Sequence, residues 1–416
     1  MLRILLITPE VPYPPKQGAS LRNFYILKGL ARNHDVSLFS ASSTKERSPD
    51  GIESPLDDLC RHVHIEYVPE RTDASRLSRL LTLHSPDMAH RFQGESLIKA
   101  LVDHIDQAQE ENDAGSPYDI VQIEGLELAH LIPVIRHHSP TTRIVYDAHN
   151  AETGLQRRAM ETDLAKFKRW PAAAYSFVQV RRLDRYESWA CESADIVTAV
   201  SDSDAKYLSR YTHGKLPSVV PNCIDIEEYE RSPVSESEPS DILFLGKMDY
   251  RPNVDAVLWF YDSIWPLIKE KRPDACWLVV GQKPHSRLTP LKSSPGVVIT
   301  GYVDQVRPYL AGTKVVILPL RMGSGTRLKL LQALASSRAV VSTTIGAEGF
   351  PGIGDDAIII QDKPERFADS VLTLLDDARS RELIGSIGLA YAEKYDWRQV
   401  IPNFDAVYDE LLIDSD

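Results

Sequence analysis

Cysteine is scarce in this sequence and badly placed for metal or disulfide chemistry. The four cysteines, Cys60, Cys191, Cys223 and Cys276, lie far apart with no C-x-x-C pair, which excludes a zinc framework and argues for reduced thiols. Long apolar runs are also missing: no stretch approaches the roughly 20 residues that a spanning helix requires. Met1-Leu2-Arg3 leads directly into an apolar run of strand type, so no signal segment is expected. The expected location is cytoplasmic, with at most peripheral attachment to the cytoplasmic face of a membrane. Basic residues are outnumbered, 47 against 59 acidic, and the net charge of −12 speaks against nucleic acid as a partner. The chain has neither a Gly-Lys-Ser/Thr P-loop nor a G-x-G-x-x-G fingerprint at its glycine-rich turn, and no carboxylate pair of the glycoside hydrolase kind stands out.

What the sequence does contain is alternation. Short apolar runs at 2–8, 35–40, 62–68, 119–123, 143–147 and 195–200 are separated by helical material, and a second series follows at 241–246, 276–281, 296–302, 315–320, 339–343 and 357–361. This pattern predicts an α/β protein with two doubly wound, mainly parallel sheets, since 416 residues exceed what one core holds. The expected division is a first domain over 1–230, a Ser/Pro/acidic linker over 231–240, a second domain over 241–392, and a final helix over 393–416 that returns to the first domain. The clearest helix of the second half is expected over 254–271.

The segment from Lys314 to Gly349 reads as strand, glycine-rich turn and helix, with Gly323, Ser324, Gly325 and Thr326 in the turn. Unpaired N–H groups and the helix dipole suit such a turn to an anion, with Arg327 and Lys329 adding charge and Thr326 at the expected helix start. A purely structural turn accounts for the same residues. Three strand-end loops in the first half also carry chemistry, because ligands of doubly wound sheets sit beyond the carboxyl ends of strands. They are the proline-rich loop 9–22 with Lys16, Gly18 and Arg22; Glu124, which taken alone reads as a solvated loop residue; and Asp147-Ala148-His149-Asn150, where a structural histidine is the alternative. One stretch, 157–185, is basic and aromatic inside an acidic protein. It is either an ordinary amphipathic helix broken by Pro171 or a segment that lies on an anionic membrane.

Taken together, FLGKMDYRPNVDAVLWF, VVGQKP, GYVDQVRPYLA and LPLRMGSGTRLKLLQALA, preceded by ITPEVPYPPKQGASLR, DAHNAE and VPNCID, give the chain its family likeness. In that order and spacing they resemble the GT-B glycosyltransferases of family four (group 1), particularly bacterial members tied to exopolysaccharide and exosortase-linked systems. The resemblance implies two Rossmann-like domains facing a central cleft. It further implies a retaining transfer of sugar from a UDP-, GDP- or ADP-linked donor to a hydroxyl of a glycan or lipid-linked acceptor, with no metal and no cofactor. It assigns donor contacts to Gly18, Gly246, Lys247, Gly301, Gly323, Ser324, Gly325, Thr326 and Gln332, with Arg251 replacing a basic residue usual at Pro252. It matches His149 to a histidine lining the sugar site and makes the leaving phosphate the base. Arg327 and Lys329 join His149 as catalytic candidates on their charge beside the turn, and Arg22, Glu124 and Asn150 are the acceptor-side candidates of the strand-end loops.

Two departures matter. Ser324 and Gln332 stand where many members carry glutamates, and Ser336-Ser337-Arg338 replaces a stretch where glycine and proline are frequent. They leave open a sugar-nucleotide-binding protein without transfer activity. A sugar-nucleotide epimerase is the remaining alternative, for which Glu348 is available but no histidine follows His285. The membrane reading of 157–185 has its own test. Binding to anionic vesicles is expected to fade with added salt and to drop at least ~10-fold in the Arg181→Glu/Arg182→Glu variant, given about 1 kcal/mol per basic residue near headgroups. Unchanged vesicle binding removes that reading.

Overall fold

The computed structural model describes residues 1–15, 18–43, 54–69, 71, 85–111, 116–164, 170–230, 240–323 and 326–413. It divides into two compact units, Met1–Pro221 with Trp397–Asp416, and Asn222–Asp396.

In the first unit seven strands form one sheet: β1 (Arg3–Thr8), β2 (Asp35–Ser42), β3 (Val63–Tyr67), β4 (Ile120–Glu124), β5 (Arg143–Ala148), β6 (Ile196–Ala199) and β7 (Ser218–Val219). Their order is β3-β2-β1-β4-β5-β6-β7, and every pair is parallel. A parallel sheet covered on both faces requires strands that are apolar throughout, as Ile4, Leu5, Leu6 and Ile7 in β1 are, all fully buried. The order reverses between β1 and β4, so the strand ends on either side of that point border the natural binding crevice. The second unit repeats the plan with β8 (Ser240–Leu245), β9 (Trp277–Val280), β10 (Val297–Gly301), β11 (Thr313–Leu318), β12 (Ala339–Ser342) and β13 (Ile359–Ile360), in the order β10-β9-β8-β11-β12-β13. Its core includes Phe260, Trp277 and Phe367, with Phe260 4.6 Å from the Trp277 ring.

Several sequence expectations change. Asn222–Glu230, assigned above to the first domain, lies in the second unit, where Ile226 N–H donates to Asp396 Oδ2 at 3.1 Å and Ile224 N–H to the Tyr395 carbonyl at 3.1 Å. The linker over 231–239 is outside the described residues. The helix expected over 254–271 starts earlier and is not uniform: Arg251–Trp259 runs into a π turn at Phe260–Ile264 and then Trp265–Lys271. Pro266, which has no N–H to give to the preceding turn, explains the irregularity.

The basic segment is divided, as its proline suggests. Alongside α1 (Gly18–Leu30), α2 (Glu152–Leu164) and α3 (Trp170–Ser193) are separate helices, 165–169 lie outside the described residues, and Pro171 falls in the first turn of α3, where no donor is needed. Val180, Leu183, Glu187 and Ala190 of α3 are buried at helical spacing, whereas Phe177 is exposed beneath the Arg181 guanidinium. The final segment is likewise divided. A 3-10 turn at Glu393–Tyr395 belongs to the second unit, and Trp397–Val400 and a helix at Pro402–Ile413 belong to the first, with Pro402 forcing the break.

The tail docks on α1 through close contacts. A Cβ placed on Gly29 would lie 2.6 Å from the Ile401 side chain, and the Trp397 ring receives the cations of Arg32 at 4.5 Å and Lys28 at 5.0 Å. Gly29→Val is therefore expected to destabilise the protein by about 1–3 kcal/mol through overpacking. Urea denaturation measures this, and unchanged stability would show that the tail does not need that approach.

Candidate active site

In the first unit, β4 and β5 end side by side with Glu124 paired in register with Asp147. That register brings two carboxylates together on the same face of adjacent strands. Glu124 and Asp147 are both 0% exposed, and Arg22, reaching from α1, is 2% exposed. The Arg22 guanidinium grips Asp147 through Nε at 3.0 Å and Nη2 at 2.8 Å, and its remaining donors reach the carbonyls of Pro221 and Val220, each at 3.0 Å. Thr198 Oγ1 adds a donor to Asp147 Oδ1 at 2.6 Å. Burial alone would raise the Asp147 carboxyl, but the Arg22 charge and these donors hold it below the usual range. Arg22, expected to contact acceptor, is thus a buried clamp on Asp147 with its hydrogen bonds turned inward.

Glu124 is also not a solvated loop residue. Its Oε1 accepts from Gln122 Nε2 at 2.6 Å, and its Oε2 lies 2.8 Å from His149 Nε2. Burial, then the adjacent Asp147 charge, pushes Glu124 up. Burial pulls His149 down, but the Glu124 hydrogen bond and charge, with Asp147, outweigh it and raise the imidazole. Glu124 and His149 thus hold one proton between them, in the 2.8 Å hydrogen bond. The His149 side chain is 17% exposed, the one member of the chain Arg22–Asp147–Glu124–His149 that reaches the surface. Its Nδ1 faces Gly125, whose φ of 86° favours glycine and whose added Cβ would lie 3.6 Å from that nitrogen.

One ligand atom from each of Glu124, Asp147 and His149 fits within a sphere suited to a small cation, all lying within 4.8 Å of one another. The Arg22 guanidinium already supplies the positive charge there, so the donor set fits a proton network better than a metal. The loop that carries His149 is held by further carboxylates. Asp204 Oδ1 accepts from Ala151 N–H at 3.0 Å, and Glu187 accepts from Glu152 and Thr153 N–H at 2.7 and 3.1 Å, capping α2. Asn150 donates to Glu152 Oε1 at 3.0 Å, so its amide nitrogen is already engaged.

In the second unit, strand ends carry glycines in close contact. A Cβ on Gly281 would lie 1.7 Å from the Gly246 carbonyl oxygen, and one on Gly246 would lie 2.7 Å from Lys329 Nζ. Lys329 comes from α4 (Leu328–Ala335), donates to Asn253 Oδ1 at 2.6 Å, and sits 4.7 Å from the Phe244 ring. Asn253 in turn donates to the Lys247 carbonyl at 2.9 Å, which links the loop after β8 to that helix. Burial, with Arg327 beside it, lowers Lys329 to about 7. The helix begins at Leu328 with Arg327 as its cap residue, rather than at Thr326, and no side chain caps it.

Arg327 lies over Gly323, whose added Cβ would meet Nη2 at 2.9 Å, and its guanidinium is 3.7 Å from the Glu348 carboxylate. Gly323 thus provides room for the guanidinium. Gln332 donates through Nε2 to Tyr229 Oη at 2.8 Å. Gly301, with φ 75°, has open space around its α carbon, and Lys247 is exposed at the margin, 3.9 Å from Asp249. Arg251 opens the helix Arg251–Trp259, and Gly18 is the first residue of α1. Ser324 and Gly325 lie outside the described residues, as does Lys16. Asn253, Tyr229, Gln122 and Asp147 escaped the sequence assignments. Asp147 alone had a signal, its place at a strand end beside His149.

Two doubly wound parallel units following one another in the chain have the GT-B fold. Residues 239–377, within the second unit, match the family Glycosyl transferases group 1. The whole chain is similar to solved GT-B structures. These include sucrose-phosphate synthase from Thermosynechococcus elongatus (TM-score 0.70, 16% identity, 99% of this chain and 100% of that one). HepE from Anabaena, solved with UDP and glucose, has a TM-score of 0.63 at 15% identity over 99% of this chain and 100% of its own. Among curated sequences, an uncharacterized 44.6 kDa protein in the cps region of Klebsiella pneumoniae is 20% identical over 423 residues, spanning 99% of this chain and 100% of that protein. Among the described residues no helix is long and apolar enough to cross a membrane.

The Arg22–Asp147 pair has a direct consequence for stability. Arg22→Met, which strands the Asp147 charge in the interior, is expected to cost about 3–5 kcal/mol at neutral pH in urea denaturation. Asp147 then becomes easier to protonate folded than unfolded, so the deficit narrows as pH falls towards about 4. A deficit that stayed constant with pH would contradict the ion-pair account.

Proposed function

We propose that the protein is a retaining, metal-independent glycosyltransferase that moves a sugar from a nucleotide sugar to a hydroxyl of a glycan or lipid-linked acceptor in polysaccharide biosynthesis. The observation that carries this reading is the cluster in the second unit where Lys329 and Arg327 lie beside Gly246 and Gly323, within the residues that match the group 1 family. A diphosphate placed there meets preorganised positive charge as the sugar–oxygen bond breaks, which is where stabilisation counts most in such a transfer. Lys247 and Arg251 add to that field, and Gly301 and Gln332 are assigned to the nucleoside. The HepE structures hold UDP and UDP-glucose, which makes a uridine donor the first to test. The cps-region relative supports the polysaccharide setting.

His149 is assigned to a sugar hydroxyl because it is the exposed end of a buried polar chain, and the leaving phosphate is assigned as base. Asn150 is proposed at the acceptor side. Glu124 is reassigned from acceptor contact to the support of His149, and Arg22 to the support of Asp147. A second reading, nucleotide binding without turnover, draws on Gln332, whose amide nitrogen is engaged by Tyr229. A neutral amide in place of a carboxylate weakens a bond to a ribose hydroxyl from about 1.5–3 to about 0.5–1.5 kcal/mol.

Calorimetric titration with UDP, GDP and ADP, followed by a transfer assay, decides between the two readings. Selective binding of one nucleotide is expected. It should weaken by about 10- to 100-fold in Arg327→Ala and tighten several-fold, about 1 kcal/mol, in Gln332→Glu. Because Lys329 is held near 7, binding at pH 8 should also take up a proton, seen as a heat that varies with the buffer. Selective binding without hydrolysis or transfer would favour the second reading, and no binding of any nucleotide by folded protein would sink both.

A further inference from the structure

We infer that Tyr408, on the tail helix α5 (Pro402–Ile413), is a positioning residue for His149, acting through a buried relay that runs Tyr408–Gln122–Glu124–His149. The inference rests on the reading of His149 as an active-site group. The Tyr408 hydroxyl donates to Gln122 Oε1; Gln122 Nε2 donates to Glu124 Oε1 at 2.6 Å; and Glu124 Oε2 lies 2.8 Å from His149 Nε2. Tyr408, Gln122 and Glu124 are all fully buried, so water offers none of them an alternative partner.

The relay has a direction. A phenol gives one hydrogen, and burial with the nearby Glu124, Asp147 and Asp405 charges keeps the Tyr408 hydroxyl protonated far above neutral pH. Its donation fixes which end of the Gln122 amide is oxygen, and so which end faces Glu124. With the amide reversed, Gln122 Oε1 would face a carboxylate oxygen, acceptor against acceptor. Tyr408 thereby keeps a donor on Glu124 Oε1, which favours the ionised carboxylate and leaves the shared proton with His149. The groups facing Glu124 are Asp147 and His149 at the end of β5, Arg22 from α1, and Gln122 and Tyr408 along the relay.

The same helix supports the other arm of the network. Phe404 stacks on the Tyr408 ring at 6.1 Å and lies under the Arg22 guanidinium at 6.0 Å. His34 presents its ring edge to Tyr408 at 6.1 Å and pairs with Asp405 at 2.9 Å, which fixes the helix rotation that aims the hydroxyl. One turn of the tail therefore meets Arg22 of one pair and Gln122, the donor to Glu124, of the other.

The test uses the full-length protein with nitrogen-15 histidine, the His149 signals being assigned by their loss in His149→Asn. In Tyr408→Phe the His149 titration midpoint is expected to fall by about 0.5 pH unit, since the lost bond reaches the imidazole through two others. Val407→Ala, a cavity on the same helix off the relay, should lower stability and leave that midpoint unchanged. Gln122→Leu, which cuts the relay while sparing the tail, should reproduce the Tyr408→Phe shift and keeps the test available if that variant folds poorly. In the transfer assay Tyr408→Phe should lower kcat about 3- to 10-fold with the donor KM unchanged. A His149 midpoint equal to wild type in both relay variants overturns the proposal. Shifted midpoints in a protein that transfers no sugar overturn the transferase reading and leave the relay standing.

Discussion

Two carboxylates in register at the ends of neighbouring parallel strands cannot both be ionised in a dry interior without a cation between the strands and solvent. Arg22 is that cation, and much of the first unit follows from it. Its guanidinium neutralises Asp147, ties the carbonyls of Val220 and Pro221, and leaves Glu124 to share a proton with His149. The pair contributes less as an attraction than as an arrangement, since removing either partner strands a charge. It selects one placement for α1, for the end of β5 and for the segment after β7.

The second unit solves a different problem, the accommodation of buried positive charge. Lys329 and Arg327 are neighbours of the same sign, and the backbone draws close around them only where glycine removes the Cβ, at Gly246 and Gly323. Such an arrangement of like charges is costly to hold together, and under the proposed function a diphosphate relieves that cost. Asn253 completes it by accepting from Lys329 while donating to the loop after β8, so the lysine is aimed before any ligand arrives.

Much of this was legible in the residues. The two doubly wound sheets followed from apolar runs alternating with amphipathic ones, because a parallel strand covered on both faces has no polar side to confuse the pattern. The strand before Gly323 and the helix carrying Lys329 left marks along the chain for the same reason, although that helix starts at Leu328 and Ser324 and Gly325 lie outside the described residues. What escaped were partnerships between residues distant in sequence. Gln122 lies inside an apolar strand and Tyr408 on an apolar helix face, and nothing in either neighbourhood announces a hydrogen bond spanning 286 positions. Glu124 read as solvated because charged residues usually are, and Arg22 as an acceptor contact; the register of β4 against β5 and the inward reach of Arg22 from α1 show that both lie inside. Pro171 marked a division of the basic segment and opens its second helix, whereas Pro266 distorts a helix expected to be regular.

The tail helix places a constraint on the order of events during synthesis. The first unit takes its strands and its Arg22 clamp from the first half of the chain, yet Phe404 and Tyr408, which close over that clamp, are made only after the whole second unit. On a ribosome the first unit must wait, its buried carboxylates and arginine partly open to water, while the second unit emerges and folds behind it. Nascent protein of this kind carries an unfinished polar core until the tail helix has followed the second unit out of the ribosome.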